Sequence, residues 1–285
     1  MSEPLKVSPD ELLRVAQMVD KLCGLVLDKT KGYLIVDRLG PVAEEAGCGS
    51  FADLCRKADA NQTLQQSIID AITTQETLFF RDNAPFEALK YKAIPESIDA
   101  RANTLSPKKL RIWSAACSTG QEPYSIAMTL SEVLPDIHSW DVNVLATDIC
   151  DSALAKASTG CYRNYEVSRG LPDSMLSKYF QEESDYCRVK DELRYLIHFD
   201  RHNLMQSFTK LGPFDIIFCR NVSAYFQKDV KRDLFNRLAD RLTPTGYLFV
   251  GLSEALNVID ERFVPQTHCR SVYYQSSQGT TTDVP

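Results

Sequence analysis

The chain has 285 residues, 44% of them hydrophobic and 25% charged, a composition that suits a globular protein with one large domain and one smaller one. A net charge of −6 argues against a duplex nucleic-acid binder, which needs a basic face to neutralise phosphates. No apolar run approaches the roughly 20 residues that cross a bilayer, so membrane insertion is not expected. The opening Met-Ser-Glu-Pro-Leu-Lys carries no apolar signal region, and a cytoplasmic location is expected. Nine cysteines are scattered with no Cys-x-x-Cys pair, which reads as reduced, mostly buried thiols. His198 and His202 are four apart, but in a strand-to-loop context rather than on one helical face, and no metal site is expected.

Residues 8–75 read as a small helical domain. Ser8 and Glu11 predict a capping box ahead of an apolar stripe formed by Leu12, Leu13, Val15, Ala16, Val19, Leu22 and Cys23, closed by Gly24. Further helices are predicted from about Tyr33 to Ala46, from Ser50 through Ala58, and from Thr63 to Ile72. Residues 1–90 hold six Lys and four Arg against eight Asp and six Glu, so this part is acidic. Any positive docking surface must be local, with Lys21, Lys29, Lys31, Arg38, Arg56 and Lys57 as its candidates.

Residues 73–82 place hydroxyls and an amide beside Phe79 and Phe80 and then Arg81. A helix start capped by Thr74 accounts for the aromatics. It does not account for Arg81, whose guanidinium suits a bidentate grip on a carboxylate. A connecting helix follows, with Pro85 in an early turn, an apolar face of Phe86, Leu89 and Tyr91, and Pro95 near its end. Residues 99–109 read as a surface loop.

From Leu110 the pattern alternates strand and helix. Leu110 to Trp113 forms a strand that runs into small residues, Gly120, and a helix with Pro123 in its first turn. Such a unit points unpaired backbone N–H groups and a helix N-terminus into the crevice where open α/β sheets bind nucleotide-like cofactors. Glu122 at the mouth of the loop repels a pyrophosphate and suits an ammonium group. Val142 to Thr147 is the next strand, and Asp148 at its end is placed to accept hydrogen bonds from ribose hydroxyls. A nicotinamide dinucleotide and S-adenosylmethionine both fit this plan. The first normally uses Gly-x-Gly-x-x-Gly, and this loop has only Gly120.

Residues 160–200 read as a small β insertion: a helix from Pro172 to Phe180, then a hairpin of Tyr186–Val189 with Leu193–Phe199, turning at Lys190-Asp191-Glu192. Phe214 to Arg220 is a fourth strand, Val230 to Leu242 an amphipathic helix, Gly246 to Leu252 a fifth strand, and Phe263 to Tyr274 an antiparallel pair. The predicted fold is α/β, a doubly wound, mostly parallel sheet, in residues 89–276. A helical domain and linker (1–88) precede it and a disordered tail (277–285) follows.

Residues 73–82, Trp113 to Ser125, Ala146-Thr-Asp148, Asn203-Leu204, and Phe214 to Val222 with Tyr225-Phe226 together resemble the CheR family of chemotaxis receptor methyltransferases. The resemblance runs in order over nearly the whole chain. It implies a class I S-adenosylmethionine-dependent enzyme, yielding S-adenosylhomocysteine, that methylates glutamate side chains on the cytoplasmic signalling region of chemoreceptors. It further implies that Glu122 and the Ala116 backbone hold the methionine ammonium and Arg81 its carboxylate, and that Gln75 and Thr77 contact the cofactor. Asp148 binds the ribose, and Asn203 and Leu204 lie beside the adenine. Cys219 and Arg220 contribute backbone near the methyl group, and Tyr225 with Arg81 flanks the incoming carboxylate.

Gln75 stands where the family has Asn, and the small Ser223 and Ala224 stand where it has two bulky aliphatic residues, which predicts looser packing beneath Tyr225. The short acidic segment Gln181 to Asp185 is unlike the glycine-containing form of members that dock a receptor C-terminal peptide, and speaks against such tethering. A monomer is expected. The alternatives are a catalytically silent scaffold that binds cofactor or receptor, and a methyltransferase for another acidic acceptor.

Overall fold

The computed structural model describes residues 5–254 and 262–276. Four helices open it: α1 (Pro9–Cys23), α2 (Gly32–Glu45), α3 (Phe51–Ala58) and α4 (Gln62–Ile72). Their ends follow local chemistry. Ser8 and Glu11 form the capping box of α1, and Ser50 and Asn61 accept backbone N–H bonds at the starts of α3 and α4. Val15, Val19, Ile35, Leu39, Phe51, Leu54 and Ile68 are fully buried between them. Of the candidate docking cations, Lys57 Nζ donates to the carbonyls of Ala46 and Gly47 at the end of α2, and Arg38 donates to Ile72 O, Thr73 O and Thr74 Oγ1. Both serve the bundle itself. The Lys29 side chain lies outside the described residues.

The connecting helix differs from expectation. It runs as α5 (Ala84–Ala88), one π turn (Leu89–Ala93) and α6 (Ile94–Arg101). The π turn shifts the hydrogen-bond register, so that Pro95, which has no N–H to donate, enters as a first-turn residue of α6 instead of ending the helix. Phe86 and Leu89 are buried, but Tyr91 is exposed, because five residues from Phe86 and two from Leu89 is off their face at helical spacing. The helix also extends into the stretch read as loop. There Arg101 Nε and Nη2 donate to Asp215 Oδ1 at 3.1 and 2.6 Å, tying the helix to the sheet.

The α/β part continues with β1 (Lys109–Ala115), α7 (Gln121–Val133), β2 (Asp141–Asp148), α8 (Asp151–Thr159), β3 (Cys161–Arg163), α9 (Asn164–Val167) and α10 (Asp173–Tyr179). Then come β4 (Phe180–Glu182), β5 (Tyr186–Val189), α11 (Asp191–Arg194), β6 (Ile197–Arg201), β7 (Phe214–Cys219), α12 (Lys228–Ala239), β8 (Leu242–Val250), β9 (Phe263–His268) and β10 (Ser271–Ser276). The large sheet has the order β6-β2-β1-β7-β8-β10-β9, and its strands run one way except β10, which is antiparallel to both of its neighbours. From β1 the chain winds first toward β6 and later toward β8, so the crevice of the doubly wound sheet opens at the carboxyl ends of β1 and β7.

The predicted hairpin is corrected. Tyr186–Val189 pairs with Phe180–Glu182 across the turn at 183–185, and Cys161–Arg163 completes a three-stranded antiparallel sheet. Residues 191–194 are helical, and Ile197–Arg201 adds to the free edge of β2 in the large sheet. Alternating apolarity marks a strand but does not name its partner. The predicted tail, 277–285, lies outside the described residues.

The bundle and the α/β part are joined by hydrogen bonds across their junction. Asn203 Nδ2 donates to Leu22 O (2.8 Å), Val26 N to Tyr225 O (3.0 Å) and Gln66 Nε2 to Ile149 O (2.9 Å). Asp70 of α4 accepts from the N–H groups of Asp151 and Ser152, capping α8 across the junction. At Gly24 (φ 74°) a Cβ would lie 2.6 Å from Met205 Sδ, so glycine suits the close turn of α1 against the α/β part.

Candidate active site

A cleft opens at the carboxyl ends of β1, β2 and β7. Its first wall is the loop after β1. Ala116 (φ 61°), Ser118 (φ 51°) and Gly120 (φ 96°) are all left-handed, turning the chain sharply into α7. A Cβ on Gly120 would meet Ala157 Cβ and Tyr162 Oη at 2.8 Å, so the glycine is required by both its conformation and its surroundings. The loop is held by Asp148, whose Oδ2 accepts from Ser118 N (2.8 Å) and Oδ1 from Cys150 N (2.9 Å). Burial pushes the Asp148 carboxyl up, and these backbone donors pull it back down.

The second wall is residues 73–83, which form no helix; the predicted Thr74 cap is absent. Phe79 instead sinks beneath the wall, with its ring edge-on to Tyr162 and Phe180 of the small sheet at 5.0 and 5.6 Å. Phe80 N donates to Ser125 Oγ, and Ser118 Oγ donates to Gln75 O (3.0 Å), joining the two walls.

The floor is an ion-pair network that the sequence did not reveal. Arg220, with its side chain 1% exposed, donates from Nη1 to Glu122 Oε2 (3.1 Å) and from Nη2 to Asp82 Oδ2 (2.7 Å) and Arg81 O (2.9 Å). Glu122 Oε1 also accepts from Ser114 Oγ at 2.8 Å. Burial pushes the Glu122 carboxyl up, and Arg220 is the main group opposing that shift. Arg220 was expected to contribute backbone alone; its side chain is what holds Glu122 at the cleft.

Gln75, Thr77, Arg81, Ala116, Glu122, Asp148, Asn203, Leu204, Arg220 and Tyr225 all line the cleft. Cys219 does not; its side chain is fully buried among Trp113, Ile217 and Leu248 behind it. Asn203 has both ends of its amide committed, Nδ2 to Leu22 O and Oδ1 to Met205 N, so its side chain holds the wall in place. Cys23, Leu25, Ile149, Val222 and Phe226 also line the cleft. Cys23 and Leu25 come from the end of the helical bundle, and nothing in the local sequence marks them, because their place depends on how the two parts dock. Ser223 is fully buried and donates to Glu254 Oε1 (2.8 Å). A bulky aliphatic side chain in place of Ser223 could not make this bond.

A buried acid at the end of β2, a carboxylate at the first turn of α7 and sharply turned backbone between them form a donor set for a nucleoside with a cationic tail. Residues 75–271 match the family model described as "CheR methyltransferase, SAM binding domain", and residues 10–73 match "CheR methyltransferase, all-alpha domain". The chain belongs to the CheR methyltransferase family. Chemotaxis protein methyltransferase 1 of Pseudomonas aeruginosa is 41% identical over 259 residues, 89% of this chain and 92% of that protein. Chemotaxis protein methyltransferase 1 of Vibrio cholerae is 39% identical over 269 residues, 91% of this chain and 94% of that one. The chemotaxis protein methyltransferase of Escherichia coli is 34% identical over 271 residues, 92% of this chain and 90% of that one. The fold is thus the class I methyltransferase fold with an N-terminal all-α domain, and the cofactor is S-adenosylmethionine. Membership makes the chain an S-adenosylmethionine-dependent methyltransferase.

Proposed function

We propose that this CheR methyltransferase esterifies glutamate side chains on the cytoplasmic signalling region of chemoreceptors. The observation that carries the reading is the cleft itself, where Arg81 and Tyr225 stand beside the buried Arg220–Glu122 pair. Glu122 and the Ala116 backbone would hold the methionine ammonium and Arg81 the carboxylate, with Asp148 on the ribose. Gln75, Thr77, Asn203, Leu204 and Arg220 form the surrounding wall. When bound, S-adenosylmethionine supplies an electrophilic methyl group on a sulfonium.

An acceptor carboxylate is already ionised at neutral pH and is itself the nucleophile, so the chain need supply neither a base nor a covalent intermediate. Its contribution is alignment and exclusion of water, which supplies about 7–11 kcal/mol where geometry is good. Tyr225 is 46% exposed at the cleft mouth, where it can meet an acceptor arriving from solvent. Purified protein with radiolabelled S-adenosylmethionine and receptor cytoplasmic fragments tests the function: base-labile methanol release supports it. Cofactor binding without transfer indicates a silent scaffold, and label on another acceptor a different specificity.

Two expected results probe the cofactor assignments. Asp148→Ala weakens S-adenosylmethionine and S-adenosylhomocysteine together, since they share the ribose, and calorimetric titration that finds either affinity unchanged removes Asp148 from the ribose. The affinity for S-adenosylhomocysteine falls as pH is lowered through the carboxyl range. Its ammonium favours ionised Glu122, whose raised pKa makes it take up a proton earlier than an ordinary Glu. Glu122→Gln flattens this pH dependence; a slope that persists in the variant assigns it to another group.

A further inference from the structure

Glu254 lies outside the cleft and is fully buried, yet its carboxylate is saturated with donors from the segment that carries Tyr225. Oε1 accepts from Ser223 Oγ (2.8 Å) and Ala224 N (3.2 Å), and Oε2 accepts from Asn221 N and Gly251 N (both 2.7 Å). Charge-assisted hydrogen bonds are about twice as strong as neutral ones, and three from backbone N–H groups with one from a hydroxyl compensate the burial of the carboxylate. Three of the four donors belong to residues 221–224, the turn between β7 and the 3₁₀ segment Ser223–Tyr225. That turn holds Asn221 at φ 59°, a left-handed conformation that Asn adopts more readily than other non-glycine residues and that aims its N–H at Glu254 Oε2. The strand end after β8 is shaped to bring the carboxylate there: a Cβ on Gly251 would lie 2.7 Å from Glu254 Oε2 and 2.9 Å from Asn221 N. Arg220, Asn221, Val222, Tyr225 and Phe226 line the cleft on either side of the anchored atoms.

We propose that Glu254 is a positioning residue for methyl transfer. Through the Asn221–Ala224 turn it sets the place of Tyr225 relative to the acceptor, without touching cofactor or acceptor. The inference rests on the function proposed above. Asn221 and Ala224 meet different carboxylate oxygens, so the turn is clamped at two points, and an acceptor at one of them cannot be replaced by a donor. In Glu254→Gln the shape is kept, but the NH2 group must face two of the four donors. In Glu254→Asp the charge is kept, but the side chain is one methylene short.

The experiment measures amide hydrogen exchange of residues 221–226, calorimetric affinity for S-adenosylhomocysteine, melting temperature, and kcat on a receptor cytoplasmic fragment, for the wild type, Glu254→Gln and Ser223→Ala. Glu254→Gln is expected to speed exchange at Asn221 and Ala224 and to lower kcat on the order of 100-fold, the penalty of a small misplacement of a reacting group. Affinity for S-adenosylhomocysteine stays near wild type, while the melting temperature falls because two buried donors lose their acceptor. Ser223→Ala, which removes one donor and leaves the carboxylate in place, moves the same readouts in the same direction but less. Unchanged exchange or unchanged kcat in Glu254→Gln overturns the assignment, as does a kcat loss matched by equal loss of cofactor affinity in both variants. A wild type that transfers no methyl to the receptor fragment sinks the proposed function instead, and the exchange result then still decides whether Glu254 clamps the turn.

Discussion

Arg220→Ala is expected to destabilise the fold by about 3–5 kcal/mol, the cost of leaving buried charges without their partner. The guanidinium is 1% exposed and spans two walls of the cleft, with Glu122 on one side and Asp82 and the Arg81 carbonyl on the other. Without it, Glu122 loses the main group that opposes the effect of its burial, and its carboxyl rises further. A carboxyl whose folded pKa lies above its unfolded value stabilises the fold at low pH and loses that contribution as pH rises through the folded value. The deficit of the variant relative to wild type therefore grows from acid toward neutral pH. Urea denaturation at several pH values measures it. Arg220→Lys recovers only part, because a point charge cannot bridge both walls as the planar fork does. A deficit under about 1 kcal/mol, within the range of ordinary surface substitutions and their scatter, would show that the network does not hold the cleft.

Arg81→Ala is expected to cost methyl transfer about 2–5 kcal/mol, the usual loss when one member of a hydrogen-bonded charge pair is removed. That corresponds to a fall in kcat/KM of roughly 30-fold to several thousand-fold. The fold should survive, because the side chain is only part-buried and its hydrogen bond among the described residues is Nη1 to Glu76 O at 3.2 Å. The two roles of Arg81 separate by measurement. If it holds the cofactor carboxylate, the dissociation constant for S-adenosylhomocysteine rises with the loss of activity. If it meets the acceptor, that constant stays and the KM for the receptor fragment rises. Wild-type kinetics with the fold intact would remove Arg81 from the site.

Much of the plan was legible from local chemistry. Ser8, Glu11 and Ser50 act on N–H groups within three residues, so these helix starts read from the sequence are the starts in the fold, whereas the predicted Thr74 cap is absent and Asn61 caps α4 unannounced. The unit from Leu110 through Gly120 to Glu122, with Asp148 at the end of the next strand, is likewise short-range. Apolar strand, left-handed loop and helix start follow one another along the chain. The connecting helix was misjudged at Pro95 because a π turn is a response to neighbours on several sides, which periodicity along one segment does not contain.

The sequence alone therefore determined the first helices of the bundle, the β1–α7–β2 unit and the positions of Glu122 and Asp148, since each depends on contacts a few residues long. Tertiary structure decided the rest. Residues 197–201 joined β2 because that strand had a free edge, not because their own alternation asked for it. Cys23 and Leu25 became cleft wall only when the bundle docked. Glu122 and Arg220 meet across 98 positions, and Ser223 and Glu254 across 31. A charge on its own reads as a solvated side chain, and its burial and its partner exist only after the sheet has brought the ends of β1, β7 and β8 to one crevice, where desolvation makes each bond between them count.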